Sequence, residues 1–249
     1  MLTQQTLTQL RDLKLRAMAE GYERQLSQPT THNIGFDERL ALLVEAEVSA
    51  RDTRRLQRLI KAAKLPDFPL IEDTDYRPGR GLDKSLIASL ATGEWVRRKQ
   101  SVLLMGATGT GKSWLGCALV AQMCRMGRSA LYLGAGDLFD SLTRAHSDGT
   151  WSKFKRLLIQ VDVLMLDDWG VAPIPPEWGH VFLDIVDKRS RTGSLVITSQ
   201  YPLNKWHSIF PDPTLADASL DRIVHNAHQI LLKGESMRKL RAREAKSGN

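Results

Sequence analysis

The stretch GATGTGKS, residues 106–113, follows the apolar run Val102-Leu103-Leu104-Met105 and carries the residue types of a phosphate cradle. Gly106 and Gly111 let the backbone turn inward so that its N–H groups face an anion, an approach that a Cβ would block. Lys112 adds a point charge for the β- and γ-phosphates of a nucleotide, and the Ser113 hydroxyl adds a ligand for Mg2+. A helix starting near Lys112 offers the positive end of its dipole to the same anion. The expected nucleotide contacts are Gly106, Ala107, Thr108, Gly109, Thr110, Gly111, Lys112, Ser113 and Trp114. Such a site needs an acid at the end of a buried strand to hold the metal. VDVLMLDDWG supplies Asp167 for that role, with Asp168 beside it to polarise the attacking water. In SLVITSQYP a strand ends in Thr198, Ser199 and Gln200, and Gln200 is the candidate for orienting that water. The stretch NKWH from Asn204 begins like the guanine-reading Asn-Lys-x-Asp motif, but His207 stands where the acid is required, so ATP with Mg2+ is the expected pair. Small-molecule kinases, GTP switches, helicases and DNA-remodelling ATPases all use such a loop, so the task of the nucleotide stays open.

The elements that must position these residues follow from periodicity. Alternating strand and helix from residue 101 onward predict a three-layer α/β domain with a parallel sheet. The strands are Ser101 to Met105, Ala130 to Gly134, Val163 to Leu166 and Ser194 to Ser199. The helices between them are Lys112 to Met126, Asp137 to Arg144 with an acidic N-cap, and Glu177 to Ser190; a last helix–strand pair covers about 217–232. Residues 1–65 read as a small all-helical domain, 66–82 as a Pro/Gly/Asp-rich linker or wrapped loop, and 83–249 as the nucleotide-binding domain. Within the first, Phe36, Leu40, Leu43, Val44 and Val48 recur at helical spacing, followed by Leu56, Leu59, Ile60 and Ala63. Arg51, Arg54, Arg55, Arg58, Lys61 and Lys64 share a face with Asp52 as their only acid. That face is either solvated or contacts nucleic-acid phosphates. The excess of 35 Lys+Arg over 28 Asp+Glu, a net charge of +7, favours a polyanionic partner. No run of eighteen apolar residues and no signal peptide is present, which excludes a membrane span and points to the cytoplasm. Cys117 and Cys124, two turns apart on one predicted helix, read as reduced core thiols.

The order of these pieces closely resembles the insertion-sequence transposition helper ATPases of the IstB type. These are AAA+ proteins allied to the replicative helicase loader DnaC. The resemblance runs from about Leu7 to Arg243 and rests on DDWG, TSQYP, LDRIVHNAH and GESMR more than on the generic phosphate loop. It implies a DNA-binding ATPase that forms a homo-oligomer on double-stranded DNA, with ATP at subunit interfaces, and assists the transposase of the same element. Loading of a replicative helicase is the alternative. It further implies that Arg222 reaches the γ-phosphate of a neighbouring subunit and that Arg238 contacts the γ-phosphate of its own. In the initiator and loader branch the region of HSDGTWSKFKR can face DNA, which makes Lys153, Lys155 and Arg156 candidate phosphate contacts, with Trp151 and Phe154 interleaved. Two departures stand out. Asp168 replaces the usual Glu, which implies weaker water activation and slow hydrolysis, stimulated by DNA or a partner. The chain after Gln200 is too short for the full C-terminal helical lid of many AAA+ proteins.

Overall fold

Five apolar strand segments organise the larger of two units in this computed structural model, which describes residues 2–28, 33–237 and 239. The strands are β1 (Ser101–Gly106), β2 (Ala130–Gly134), β3 (Val163–Asp167), β4 (Ser194–Ser199) and β5 (Ala227–Leu232). They form one parallel sheet in the order β2-β3-β4-β1-β5. The near-continuous apolar character of β1, β3 and β4 follows from burial on both faces. After the short helices α4 (Lys84–Ala91) and α5 (Glu94–Arg97) that precede β1, one face carries α6 (Lys112–Arg125), packed so closely that a Cβ at Gly116 would lie 2.6 Å from Met165 Cε. The other face carries α7 (Ala135–Ser147), α8 (Trp151–Gln160), α9 (Gly179–Thr192) and α10 (Pro213–Val224) over a core that includes Leu103, Leu166, Trp169, Phe182 and Ile197. The expected three-layer α/β arrangement with a parallel sheet is thus the observed one. Among the described residues no helical subdomain follows β5.

Several boundaries depart from the sequence reading for local reasons. Helix α7 begins at Ala135 with Gly134 at the N-cap, so Asp137 sits in the first turn and not at the cap. A 3-10 turn, Pro176–Trp178, precedes α9, which delays its start beyond Glu177. Helix α10 starts earlier than 217, because Asp212 caps it by accepting from the Leu215 N–H at 3.1 Å and Pro213 fits its first turn. The stretch 151–160, read only as basic, is the amphipathic helix α8. Its Trp151 and Phe154 pack against the core. Arg189 of α9 is fully buried and donates to the carbonyls of Leu158, Ile159, Val161 and Ser194, which joins the end of α8 to the starts of β3 and β4. Burial pulls its guanidinium down to about 9.

The smaller unit contains α1 (Leu2–Asp12), α2 (Arg16–Ser27) and the greater part of α3 (Phe36–Ala63). The chain divides between Arg58 and Leu59, inside α3, and not at residue 65. A Cβ at Gly21 would lie 2.9 Å from Leu43 Cδ2, so α2 and α3 touch closely there. Glu47 accepts the Ala17 and Met18 N–H groups at 2.9 and 3.3 Å, which places a carboxylate at the positive end of α2. Burial alone would raise the Glu47 carboxyl, but its bonds from Arg51, Met18 and Ala17 outweigh that and hold it below the ordinary value. The same carboxylate takes Arg51 Nε at 2.9 Å and Arg54 Nη2 at 3.1 Å. Asp52 is therefore not the only acid serving the basic face of α3. The expected apolar face is also narrower than its periodicity suggested: Leu43 is buried, whereas Phe36, Leu40, Val44 and Val48 are exposed.

Segment 66–82 belongs to the larger unit and wraps against it. Ile71 and Thr74 are buried, and the Lys233 N–H donates to the Arg80 carbonyl at 2.9 Å, which ties the segment to the end of β5.

Candidate nucleotide-binding site

The ends of β1, β3 and β4 meet because β4 lies between the other two in the sheet. The carboxyl ends of parallel strands are where open α/β sheets bind ligands. After β1, residues 107–111 curl into a loop that leads directly into α6, with Gly111 at its N-cap in the left-handed conformation. A Cβ at Gly106 would lie 2.2 Å from the Leu232 carbonyl oxygen, so that position admits no side chain. Lys112 is buried, 5 % exposed, and its Nζ donates to the Ala107 carbonyl at 2.9 Å. Burial lowers its pKa, and the charges of Asp168 and Asp167 offset only part of that.

Asp167 closes β3 with its carboxylate fixed from both sides. Tyr132 of β2 donates its hydroxyl to one oxygen at 2.8 Å, and Thr198 of β4 donates to the other. Burial, then the Asp167 hydrogen bond and charge, raise the Tyr132 hydroxyl. Thr198 Oγ1 also accepts the Asp168 N–H at 3.0 Å. Asp168 holds a left-handed φ of 56°, which is uncommon outside glycine and turns the chain sharply after Asp167. Its side chain then lines the cavity with Lys112 and Ser113. Gln200, just past β4, accepts from Thr108 Oγ1 at 3.1 Å, so it touches the phosphate loop itself.

Thr108, Gly109, Gly111, Lys112, Ser113 and Asp168 bound a cavity of about 480 Å3, whereas Gly106, Ala107, Thr110, Asp167 and Gln200 do not line it; its size is within the range of small-molecule sites. Trp114 and Cys117 of α6 form part of the wall, and burial pushes the Cys117 thiol up to about 12. Part of the lining was not legible in the sequence. Asp67, Asp75 and Arg80 reach it from segment 66–82, and Met237 from beyond β5. The Met237 N–H donates to the Gly109 carbonyl at 2.8 Å. The donor set suits a nucleoside triphosphate: a buried ammonium, a helix N-terminus, glycines where side chains would collide, and a hydroxyl beside a carboxylate pair. Among the described residues no group of three or more His, Cys, Asp or Glu side chains forms a protein-only metal site.

Other expected residues lie elsewhere. Arg222 on α10 does not line the cavity; its Nε meets Asp187 at 2.5 Å and its Nη1 donates to the Ala218 carbonyl. Arg238 falls outside the described residues. On α8, Lys153 and Arg156 are exposed, whereas Lys155 is engaged by Asp184 at 2.8 Å and sits 5.4 Å from the Trp151 ring centre. On α3, Arg55, Arg58 and Lys61 are exposed, and Arg51 and Arg54 share Glu47. No helix among the described residues is long and apolar enough to cross a membrane.

Comparison with known proteins agrees with this geometry. The model of the IstB-like ATP binding protein family matches residues 8–245. An insertion sequence ATP-binding protein of Sinorhizobium fredii is 41 % identical over 245 residues, covering 98 % of this chain and all of the relative. The IS1162 ATP-binding protein of Pseudomonas fluorescens is 47 % identical over 203 residues, covering 81 % and 88 %. The DnaC helicase loader structure superposes with a TM-score of 0.51 at 18 % identity, covering 71 % of this chain and 99 % of that one, which shows a shared P-loop AAA+ fold. The chain belongs to the IstB-like ATP binding protein family.

Proposed function

We propose that this protein is a DNA-dependent ATPase that oligomerises on double-stranded DNA and assists the transposase of its own insertion sequence in the cytoplasm. The supporting observation is the division of the expected phosphate-binding cations. Lys112 lies inside the cavity, whereas Arg222 stands outside it on α10, held by a surface carboxylate. An arginine so placed suits a γ-phosphate bound by a second copy of the chain. Such an arrangement makes ATP a joint between subunits.

Within one subunit, Lys112 and the loop N–H groups hold the phosphates. Ser113 and Asp167 would hold Mg2+, whose charge offsets that of the phosphate oxygens. Tyr132 and Thr198 each donate to the Asp167 carboxylate and fix its orientation. Asp168 polarises the attacking water and Gln200 orients it from the edge of the loop. The short Asp168 side chain suits slow turnover that DNA or a partner accelerates. Exposed cations of α3 (Arg51, Arg54, Arg55, Arg58, Lys61) and α8 (Lys153, Arg156, with Lys155 once released from Asp184) supply DNA phosphate contacts. Arg238 contacts the γ-phosphate of its own subunit.

Light scattering on the wild type with ATP and duplex DNA together tests this reading. Assembly should appear with both ligands, vanish in Lys112→Ala, and persist without turnover in Asp168→Asn. A mass unchanged by ATP plus DNA refutes it. The fold shared with the DnaC helicase loader supports the second reading, in which the helices before residue 59 bind a helicase. Retention of a replicative helicase, and not of the transposase, by the immobilised full chain would favour it.

A further inference from the structure

The segment before the sheet carries one side chain whose placement calls for a role. Arg80 is almost buried, its side chain 12 % exposed, yet it lies between two glycines in a stretch rich in proline and aspartate. Its guanidinium is fixed by two carbonyl acceptors and a nearby carboxylate. Nη1 donates to the Asp75 carbonyl at 2.6 Å and lies 3.8 Å from the Asp75 carboxylate; Nη2 donates to the Thr110 carbonyl at 2.8 Å. The backbone carbonyl of Arg80 takes the Lys233 N–H, so the residue is braced against the end of β5 as well. A close approach supports this brace, since a Cβ at Gly81 would lie 2.6 Å from the Leu231 carbonyl oxygen. On the loop side the guanidinium presses against the glycine at the helix start: a Cβ at Gly111 would lie 2.9 Å from Arg80 Nη2.

We infer that Arg80 is a positioning residue for phosphate binding, acting through the Thr110–Gly111 peptide. A trans peptide is planar, and its C=O and N–H point in opposite directions. Holding the Thr110 carbonyl against Arg80 therefore turns the Gly111 N–H away from Arg80, to the side on which this proposal puts a phosphate oxygen. Glycine at 111, with its φ of 94°, leaves that peptide more than one sterically open orientation. The guanidinium thus contributes the orientation of a dipole. The Met237 N–H likewise holds the Gly109 carbonyl. The loop is clasped by the segment before β1 and by the one after β5.

This inference rests on the loop binding a nucleoside triphosphate, and on neither DNA nor assembly. Calorimetric titration of the full chain with ATP and, separately, with inorganic tripolyphosphate tests it. A residue acting on the loop peptide affects both ligands alike, because both use the same cradle. Arg80→Ala should weaken both by a similar factor of about ten, the worth of one charge-assisted hydrogen bond. Arg80→Lys, which keeps one donor, should weaken both by a smaller common factor, and it decides the matter should the alanine variant not fold. Weakened ATP binding with unchanged tripolyphosphate binding would overturn the inference, since Arg80 would then read the base or ribose directly. Unchanged affinity for both ligands would overturn it too, leaving a contact that only docks the segment. Failure of the wild type to bind ATP would instead refute the nucleotide reading.

Discussion

Replacing Thr198 with valine removes one hydroxyl and almost no volume from a fully buried position. That hydroxyl donates to the Asp167 carboxylate and accepts the Asp168 N–H at 3.0 Å. A hydrogen bond to a charged group contributes about 1.5–3 kcal/mol, and an orphaned buried donor costs about 1–3 kcal/mol. The added methyl faces a carboxylate, so it offsets little of this. Thr198→Val should therefore lower the unfolding free energy by about 3 kcal/mol, read as a urea midpoint shift at constant slope. Thr198→Ser, which keeps the hydroxyl, should stay within about 1 kcal/mol of the wild type. Function should divide in a particular way. The Thr198 hydroxyl bonds to Asp167 and Asp168 and not to the glycine loop or Lys112, so ATP affinity in the absence of divalent metal should change by less than about threefold. Turnover should fall at least about tenfold, because both aspartates lose the group that orients them. A valine variant within about 0.5 kcal/mol of the serine variant would refute the assignment of these hydrogen bonds. Equal loss of metal-free ATP binding and turnover would refute the division of labour between β4 and the loop.

Three further outcomes follow from the same contacts. Arg189→Met leaves the carbonyls of Leu158, Ile159, Val161 and Ser194 without the guanidinium and should cost about 3 kcal/mol, or about 10 °C in Tm; an unchanged Tm would show that apolar packing replaces the charge without loss. The Glu47 carboxyl is held below its ordinary value of 4.5, so its contribution is present above that pH and lost as the pH falls through the lower folded value. The difference in urea midpoint between wild type and Glu47→Gln should accordingly be large near neutral pH and close as the pH falls below the ordinary carboxylate value, and a difference constant with pH refutes it. Burial raises Cys124 to about 11 and Cys117 to about 12, so iodoacetamide at about pH 8 should modify them only on unfolding; mass spectrometry showing free-thiol rates in the native protein would contradict this.

What the sequence made legible depended on how local each requirement is. The phosphate loop places all its constraints within eight consecutive residues, and an apolar run before it marks the strand. Asp167 and Asp168 stand out for the same reason, as charges ending a buried run. Arg80 shares a hydrogen bond with a residue thirty positions away, and Thr198 with one thirty-one away. No periodicity encodes such a pairing; the parallel sheet order creates it by putting β4 between β1 and β3. The face of α3 failed differently. Helical spacing shows that Phe36, Leu40, Leu43, Val44 and Val48 lie on one broad side, but not how much of that side its neighbours cover. Glu47 does not stand out in the sequence because its charge is spent on two backbone N–H groups of α2, partners that no count of acids and bases along one helix includes.

The pairing of Arg222 with Asp187 bears on how a subunit joint of this kind could open and close. For Arg222 to meet a phosphate on another copy, it must leave Asp187. The hydrogen bond from Arg222, against a small effect of burial, holds the Asp187 carboxyl below its ordinary value. Both side chains are about one-third exposed. Ion pairs in such settings contribute little to stability, because water screens them and the long side chain loses freedom in forming them. Arg191 also reaches Asp187, at 3.1 Å, so the carboxylate keeps a cation when Arg222 departs. A trans arginine on a transferring phosphoryl group is worth about 10^3 to 10^5 in rate, far more than a screened pair can withhold. Under the proposed function, Asp187 therefore parks Arg222 without trapping it. The exchange needs only side-chain rotation at the surface, while the Arg189 carbonyl network beneath the same helix stays intact.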